Sequence, residues 1–96
     1  MSTDYHLELY PIYLHMSENG TASGFAPNVP GLFFAGDSIK ECIEDAKSAF
    51  VAHFDLLFED GQPIPKATEV EDHLDDEDCV GGLWFLVEVD TARYRV

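Results

Sequence analysis

This sequence predicts an α+β domain with strands and helices in the order β-β-β-α-(α)-β and one main helix on one face of the sheet. Three observations carry that reading. An Asn19-Gly20 pair separates two short stretches of strand character, which is a hairpin signal. From Ser38 to about Glu59 the apolar residues repeat at helical spacing. The chain then returns to a nearly continuous apolar run, Leu83 to Val89, behind Gly81-Gly82. With 96 residues there is room for a single hydrophobic core, and residues 1–96 are read as one domain.

The first strand is predicted over Leu7 to His15. Leu7, Leu9 and Tyr13 share one face, and Glu8, Tyr10, Ile12 and Leu14 share the other, so the strand should be packed on two sides. Pro11 cannot donate to a ladder and should sit at a bulge or on an unpaired side. Ser17 to Gly20 forms the turn, with Asn-Gly supplying the positive φ angles of a two-residue loop. A second strand, Thr21 to Phe25, runs back antiparallel.

Pro27, Pro30 and Gly31 re-aim the chain into a third strand, Leu32 to Ala35, which Gly36 ends. Ser38 and Glu41 have the spacing of a capping box at the helix start. Ile39, Cys42, Ile43, Ala46, Ala49, Phe50, Phe54 and Leu57 form the inward stripe. Gly61 should terminate the helix, and Pro63 and Pro65 forbid a restart. An extended connector, Gln62 to Thr68, leads to a short helix over Glu69 to Asp76 with Val70 and Leu74 inward. The last strand should be buried on both faces. A single helix covers only one face of the sheet, so the other face is expected to find a partner or a second copy.

Nineteen acids against five bases leave a formal charge of −14. Such a surface repels phosphate backbones and attracts a cationic partner. The apolar fraction of 46% argues against a disordered tail. No apolar run approaches a membrane span, the N-terminus lacks a basic signal-peptide start, and Cys42 and Cys79 have neither zinc nor disulfide spacing. A cytoplasmic setting without cofactor is the default expectation.

Phe25-Ala26-Pro27-Asn28-Val29-Pro30-Gly31, Ala35-Gly36-Asp37-Ser38 and Glu41 to Ala46 line up in order with the pattern of HicB-like antitoxins. Glu59 to Pro65 is similar to that family's Asp-Gly-x-Pro-Ile-Pro connector, and Leu86 to Asp90 resembles its closing strand. The aromatic-Pro-apolar segment Tyr10-Pro11-Ile12 fits as well. Asn28 stands where Asp is usual, and Leu32 where Cys is common. The resemblance implies a partial, degenerate RNase H-like fold without nuclease chemistry. It also implies a partner, a small basic HicA-like mRNA-cleaving toxin that the antitoxin occludes. The family usually continues into a DNA-binding segment, and this chain stops at Tyr94-Arg95-Val96. The expectation is therefore a C-terminal DNA-binding extension absent from this chain, whether by truncation or by nature. Operator DNA would be a partner only through such a segment.

Candidate sites follow. Nine of the nineteen acids lie between Glu59 and Asp78 with Lys66 the only base among them. Within that run Glu69, Glu71, Asp72, Asp75 and Asp76 are the proposed partner-binding residues, against the plainer reading of a solvated loop. Phe33, Phe34, Trp84 and Phe85 are the candidate oligomer interface of a dimer or tetramer. A rival reading is a metal-dependent RNase H-like nuclease using Glu8, Glu44 and Glu88 or Asp90. Another is an oligomeric structural domain with no toxin partner. His6, His15, His53 and His73 lack metal-ligand spacing and are assigned no catalytic role, and no catalytic or metal residue is proposed.

Overall fold

A computed structural model of the chain describes residues 7–94; His6, Arg95 and Val96 lie outside them. Strands β1 (Leu7–Met16), β2 (Ala22–Phe25) and β3 (Phe33–Gly36) precede the helix α1 (Ile39–Glu59), and β4 (Leu83–Asp90) follows. The sheet order is β3-β2-β1-β4, and every neighbouring pair is antiparallel. The α+β reading and its element order hold.

β1 is continuous, pairing with β4 from Leu7 opposite Asp90 to Leu14 opposite Leu83. β2 reaches along β1 only from Met16 to Tyr13. Pro11 therefore sits where one side of β1 is unpaired, and the register passes it without a bulge. The hairpin differs from expectation. Only glycines have positive φ, and Gly20 (φ 91°) supplies it alone. The Ser17 N–H bonds the Thr21 carbonyl at 2.8 Å and the Gly20 N–H bonds the Ser17 carbonyl at 3.0 Å, so the loop has three residues rather than two. Asn19 contributes through its side chain instead, accepting from the Thr21 hydroxyl at 2.9 Å.

Between β2 and β3 two successive turns bury Ala26, Val29 and Leu32. Asn28 in this loop donates its amide to the Lys66 carbonyl, a bond that an Asp at this position could not donate.

Ser38 caps α1 by accepting the Glu41 N–H at 3.1 Å. Among the described residues only this half of the expected capping box forms. The C-terminus closes as a Schellman motif: Gly61 has φ 72°, the Gln62 N–H bonds the Leu57 carbonyl at 2.8 Å, and the Gly61 N–H bonds the Phe58 carbonyl at 3.1 Å. Cys42, Ala46, Phe50 and Phe54 are fully buried along the predicted stripe. Ile39, Ile43, Ala49 and Leu57 pack at its margins.

The core is centred where Tyr10 meets the helix. Its ring lies 5.2 Å from Phe50 and 5.4 Å from Phe54, and Tyr94 closes on Phe54 at 5.8 Å. The Tyr10 hydroxyl donates to the Pro65 carbonyl at 2.7 Å, tying the connector to the helix side of the sheet. Tyr10, Ile12, Val87 and Val89 share that side, as do Phe34 and Phe85.

Three expectations fail in the second half of the chain. The segment after the connector forms a single 3-10 turn, Val70–His73, rather than a helix to Asp76. Leu74 points outward, 58% exposed, because the turn ends before it. β4 is not buried on both faces: as the edge strand it leaves Leu83 and Leu86 about half exposed, and only Val87 and Val89 are buried.

Burial, with the Glu8 charge adding to it, raises the Tyr10 pKa from 10.0 to about 12. Burial, together with its hydrogen bond to Asp55, does the same for Tyr94, Arg93 opposing weakly. The fold thus favours the neutral phenols, so their stabilisation is complete below about pH 10 and is lost as pH rises through about 12. Denaturant unfolding should show a midpoint falling steeply over that interval. Tyr10→Phe should lose about 1 kcal/mol at neutral pH with its hydrogen bond, and show a shallower alkaline loss.

Candidate partner-binding surface

The chain that follows α1 crosses from one side of the sheet to the other. Pro65 bonds Tyr10 on the helix side, whereas His73 stacks on Trp84, ring centroids 6.1 Å apart, on the opposite face. Trp84 in turn packs on Tyr13 at 4.9 Å, and the Gly82 N–H donates to the Tyr13 hydroxyl. Residues 67–82 therefore cover part of the face that the helix leaves open. Tyr13 is 1% exposed for this reason.

Local bonds hold the acidic stretch in shape. The Glu69 N–H donates to the Asp72 carboxylate at 3.0 Å, and the Asp78 N–H to the Asp76 carboxylate at 3.0 Å. The His73 ring meets the Thr68 hydroxyl at 2.7 Å. Cys79 turns inward and is buried. Burial raises the pKa of both thiols, with Asp45 adding at Cys42 and Asp76 and Asp78 at Cys79, so neither is activated as a nucleophile.

The five acids singled out in the sequence thus fall on one segment. Glu69, Glu71, Asp72 and Asp75 are exposed and Asp76 is half-buried. Asp72 and Asp76 already serve as local caps, whereas Glu71 and Asp75 carry no side-chain hydrogen bond among the described residues. Glu88 adds a carboxylate from the outer face of β4. Among the described cations, Lys40 and Lys47 are on α1, Lys66 is on the connector, and Arg93 lies 3.4 Å from Asp55. That ion pair is exposed at both ends and contributes at most about 1 kcal/mol. Residues 67–82 thus carry seven acids and no Lys or Arg, whereas α1 sets two lysines against its five acids, so the uncompensated charge is densest on the strap.

The four candidate interface aromatics separate. Phe33 is 71% exposed on the outer face of β3, while Phe34, its neighbour, is 4% exposed beneath α1 and offers nothing to a second copy. Phe85 packs against the core, and Trp84 is engaged by Tyr13 and His73. Phe34 and Phe85 are thus core residues, because alternate positions of a strand face opposite sides.

The carboxylates of the nuclease reading do not converge. The Glu8 side chain accepts from Thr91 at 2.9 Å, Glu44 is exposed on α1, and Glu88 pairs across from Leu9 on the outer face. Among the described residues no group of three or more His, Cys, Asp or Glu is placed to hold a metal. His15 packs edge-on against Tyr13 at 4.9 Å, and His53 lies half-buried beside Phe54. No helix among them is long and apolar enough to cross a membrane. Sequence reasoning missed the role of His73 and Gly82 in closing the outer face. The alternation of Tyr13 and Trp84 on facing strands was the available signal.

This arrangement is that of a small α+β domain, an open sheet with an acidic strap over one face. A family model described as "HicB_like antitoxin of bacterial toxin-antitoxin system" matches residues 10–96, and the chain belongs to that family. An uncharacterized 14.9 kDa protein from the rep-hol intergenic region of Haemophilus phage HP1 (strain HP1c1) is 32% identical over 85 residues, 88% of this chain. The aligned region spans 63% of that phage protein's length. The N-terminal domain of the Burkholderia pseudomallei antitoxin HicB superposes with a TM-score of 0.75 at 27% identity, covering 86% of this chain and 99% of that one. A chain of a HicA3 and HicB3 toxin-antitoxin complex does so with a TM-score of 0.71 at 30% identity, with the same coverages of 86% and 99%.

Replacing Glu71 with Gln and Asp75 with Asn should leave thermal stability within about 0.5 kcal/mol of the parent, since both side chains are exposed. Asp76→Ala should cost more, about 1 kcal/mol, because it removes the oxygen that accepts the Asp78 N–H in the turn that brings Cys79 inward. Parallel thermal melts of the three variants check the distinction.

Proposed function

We propose that this chain acts as the antitoxin of a type II toxin–antitoxin pair, binding and occluding a small basic HicA-like mRNA-cleaving toxin. The observation that carries the reading is the concentration of carboxylates on the strap over the face opposite α1, on a fold belonging to an antitoxin family. The likeness to a chain solved in a HicA3 and HicB3 complex supports the same partner class. Carboxylates on a strap packed against the sheet can pair with the Lys and Arg side chains that a ribonuclease uses on RNA phosphates. Occlusion needs no chemistry in the antitoxin, and the proposal assigns it none. It assigns the domain no DNA contact either, and places it in the cytoplasm, where mRNA is cleaved.

Self-association forms a second part of the proposal, with Phe33 as its anchor on the β3 edge. A large aromatic at 71% exposure is the kind of residue that an interface buries.

Co-expression with the small basic protein encoded beside this gene, followed by pull-down, tests the first part. A complex should form, and its association rate should fall as salt rises from about 0.05 to 0.5 M, because screening shortens the reach of the acidic face. A salt-independent rate would remove electrostatic steering from the account, and no complex at any salt would remove the antitoxin reading. For the second part, sedimentation of the free chain should show an oligomer that Phe33→Ser converts to monomer. A monomeric parent, or an unchanged oligomer in the variant, would contradict it.

A further inference from the structure

Leu7, Leu9 and Leu86 form an apolar floor on the outer face that the acidic strap does not close. They are 50%, 49% and 52% exposed. Leu7 and Leu9 alternate along β1, and Leu86, opposite Pro11 on β4, shares their face. The chain from Ala67 to Glu69 forms the opposite wall of this groove. Glu69 stands on that wall, and Glu88, the cross-strand neighbour of Leu9, flanks the leucines on the β4 side. Glu8 also lines the groove, but its carboxylate is engaged by the Thr91 hydroxyl.

Three half-exposed leucines in line are costly to leave in water, and here they lie between negative walls. A second copy fits this groove poorly, because a two-fold contact here would set Glu69 and Glu88 of each copy against those of the other, whereas Phe33 lies on the far edge of the sheet. We propose that the groove receives a cationic amphipathic segment of a partner protein, its apolar side chains on Leu7, Leu9 and Leu86 and its Arg or Lys side chains on Glu69 and Glu88. The inference deepens the antitoxin reading and rests on it for the identity of the partner, by naming where the toxin is gripped. Binding there would take the three leucines out of water while the exposed carboxylates at the rim meet the cations.

The full chain is titrated with a short synthetic peptide of alternating leucine and arginine, and with the same peptide carrying serine for leucine. The leucine peptide should bind at least about tenfold tighter than the serine peptide. Leu9→Ser with Leu86→Ser should abolish that preference while keeping a cooperative thermal melt, lowered only by the loss of two half-buried side chains. Glu69→Gln with Glu88→Gln, which keeps side-chain shape, should weaken binding of both peptides and flatten its salt dependence. Equal binding of the two peptides, or a preference unaffected by the leucine variant, overturns the groove. So does a free chain that sediments as an oligomer and is dissociated by the leucine variant, since a second copy would then fill the site. Toxin capture separates the two ideas. If the neighbouring toxin binds the parent and the leucine variant alike, the groove is wrong and the antitoxin reading stands. If the leucine peptide binds selectively while the toxin does not bind at all, the groove stands as a cationic-segment site and the antitoxin reading falls.

Discussion

β1 has to be covered twice. From Tyr10 to Leu14 every one of its residues is buried, so neither face of the strand's centre can be left to water. α1 covers one side through Phe50 and Phe54. The other side is covered by the chain that leads into β4, through Trp84 and the backbone of Gly82. That requirement forces the connector around the end of the sheet, and Tyr10 and Asn28 hold it where it crosses. The position of the acidic strap is thus a consequence of how the first strand is buried.

The strap's composition then gives the domain its polarity. Carboxylates gathered on one short segment repel one another, and the fold tolerates this because most stay in water, where a high dielectric weakens the repulsion. Asp72 and Asp76 are partly relieved by backbone N–H groups that they accept from. The remaining negative potential is directed outward on a surface fixed by His73 and Trp84. A partner meets a formed surface, so little ordering cost is added on association.

The helix was readable in the sequence but for one half of its capping box, because its cap, its period and its terminating Gly61 are local signals. The hairpin was readable in place and not in geometry: Asn-Gly signals a turn, but Asn19 uses its side chain as an acceptor where a positive φ was expected. Which of two adjacent aromatics faces the helix depends on strand register, and register is set by pairing partners far away. Phe33 and Phe34 therefore could not be told apart beforehand, nor could Trp84 and Phe85. The strap was illegible for the same reason. Its anchors join residues 55 and 69 positions apart, Tyr10 to Pro65 and Tyr13 to Gly82. Local pattern gave Leu74 an inward face that only a longer helix could have provided.

What the domain does follows from which side is negative and which side is closed by α1. Hydrogen–deuterium exchange of the chain, free and mixed with the proposed toxin partner, asks this of the molecule directly. Protection gained on residues 67–78 and on β4, with the outer side of α1 unchanged, is the result this account requires. Protection confined to the exposed flank of α1, around Lys40 and Lys47, would show that the partner docks on the wrong side for any of it to hold.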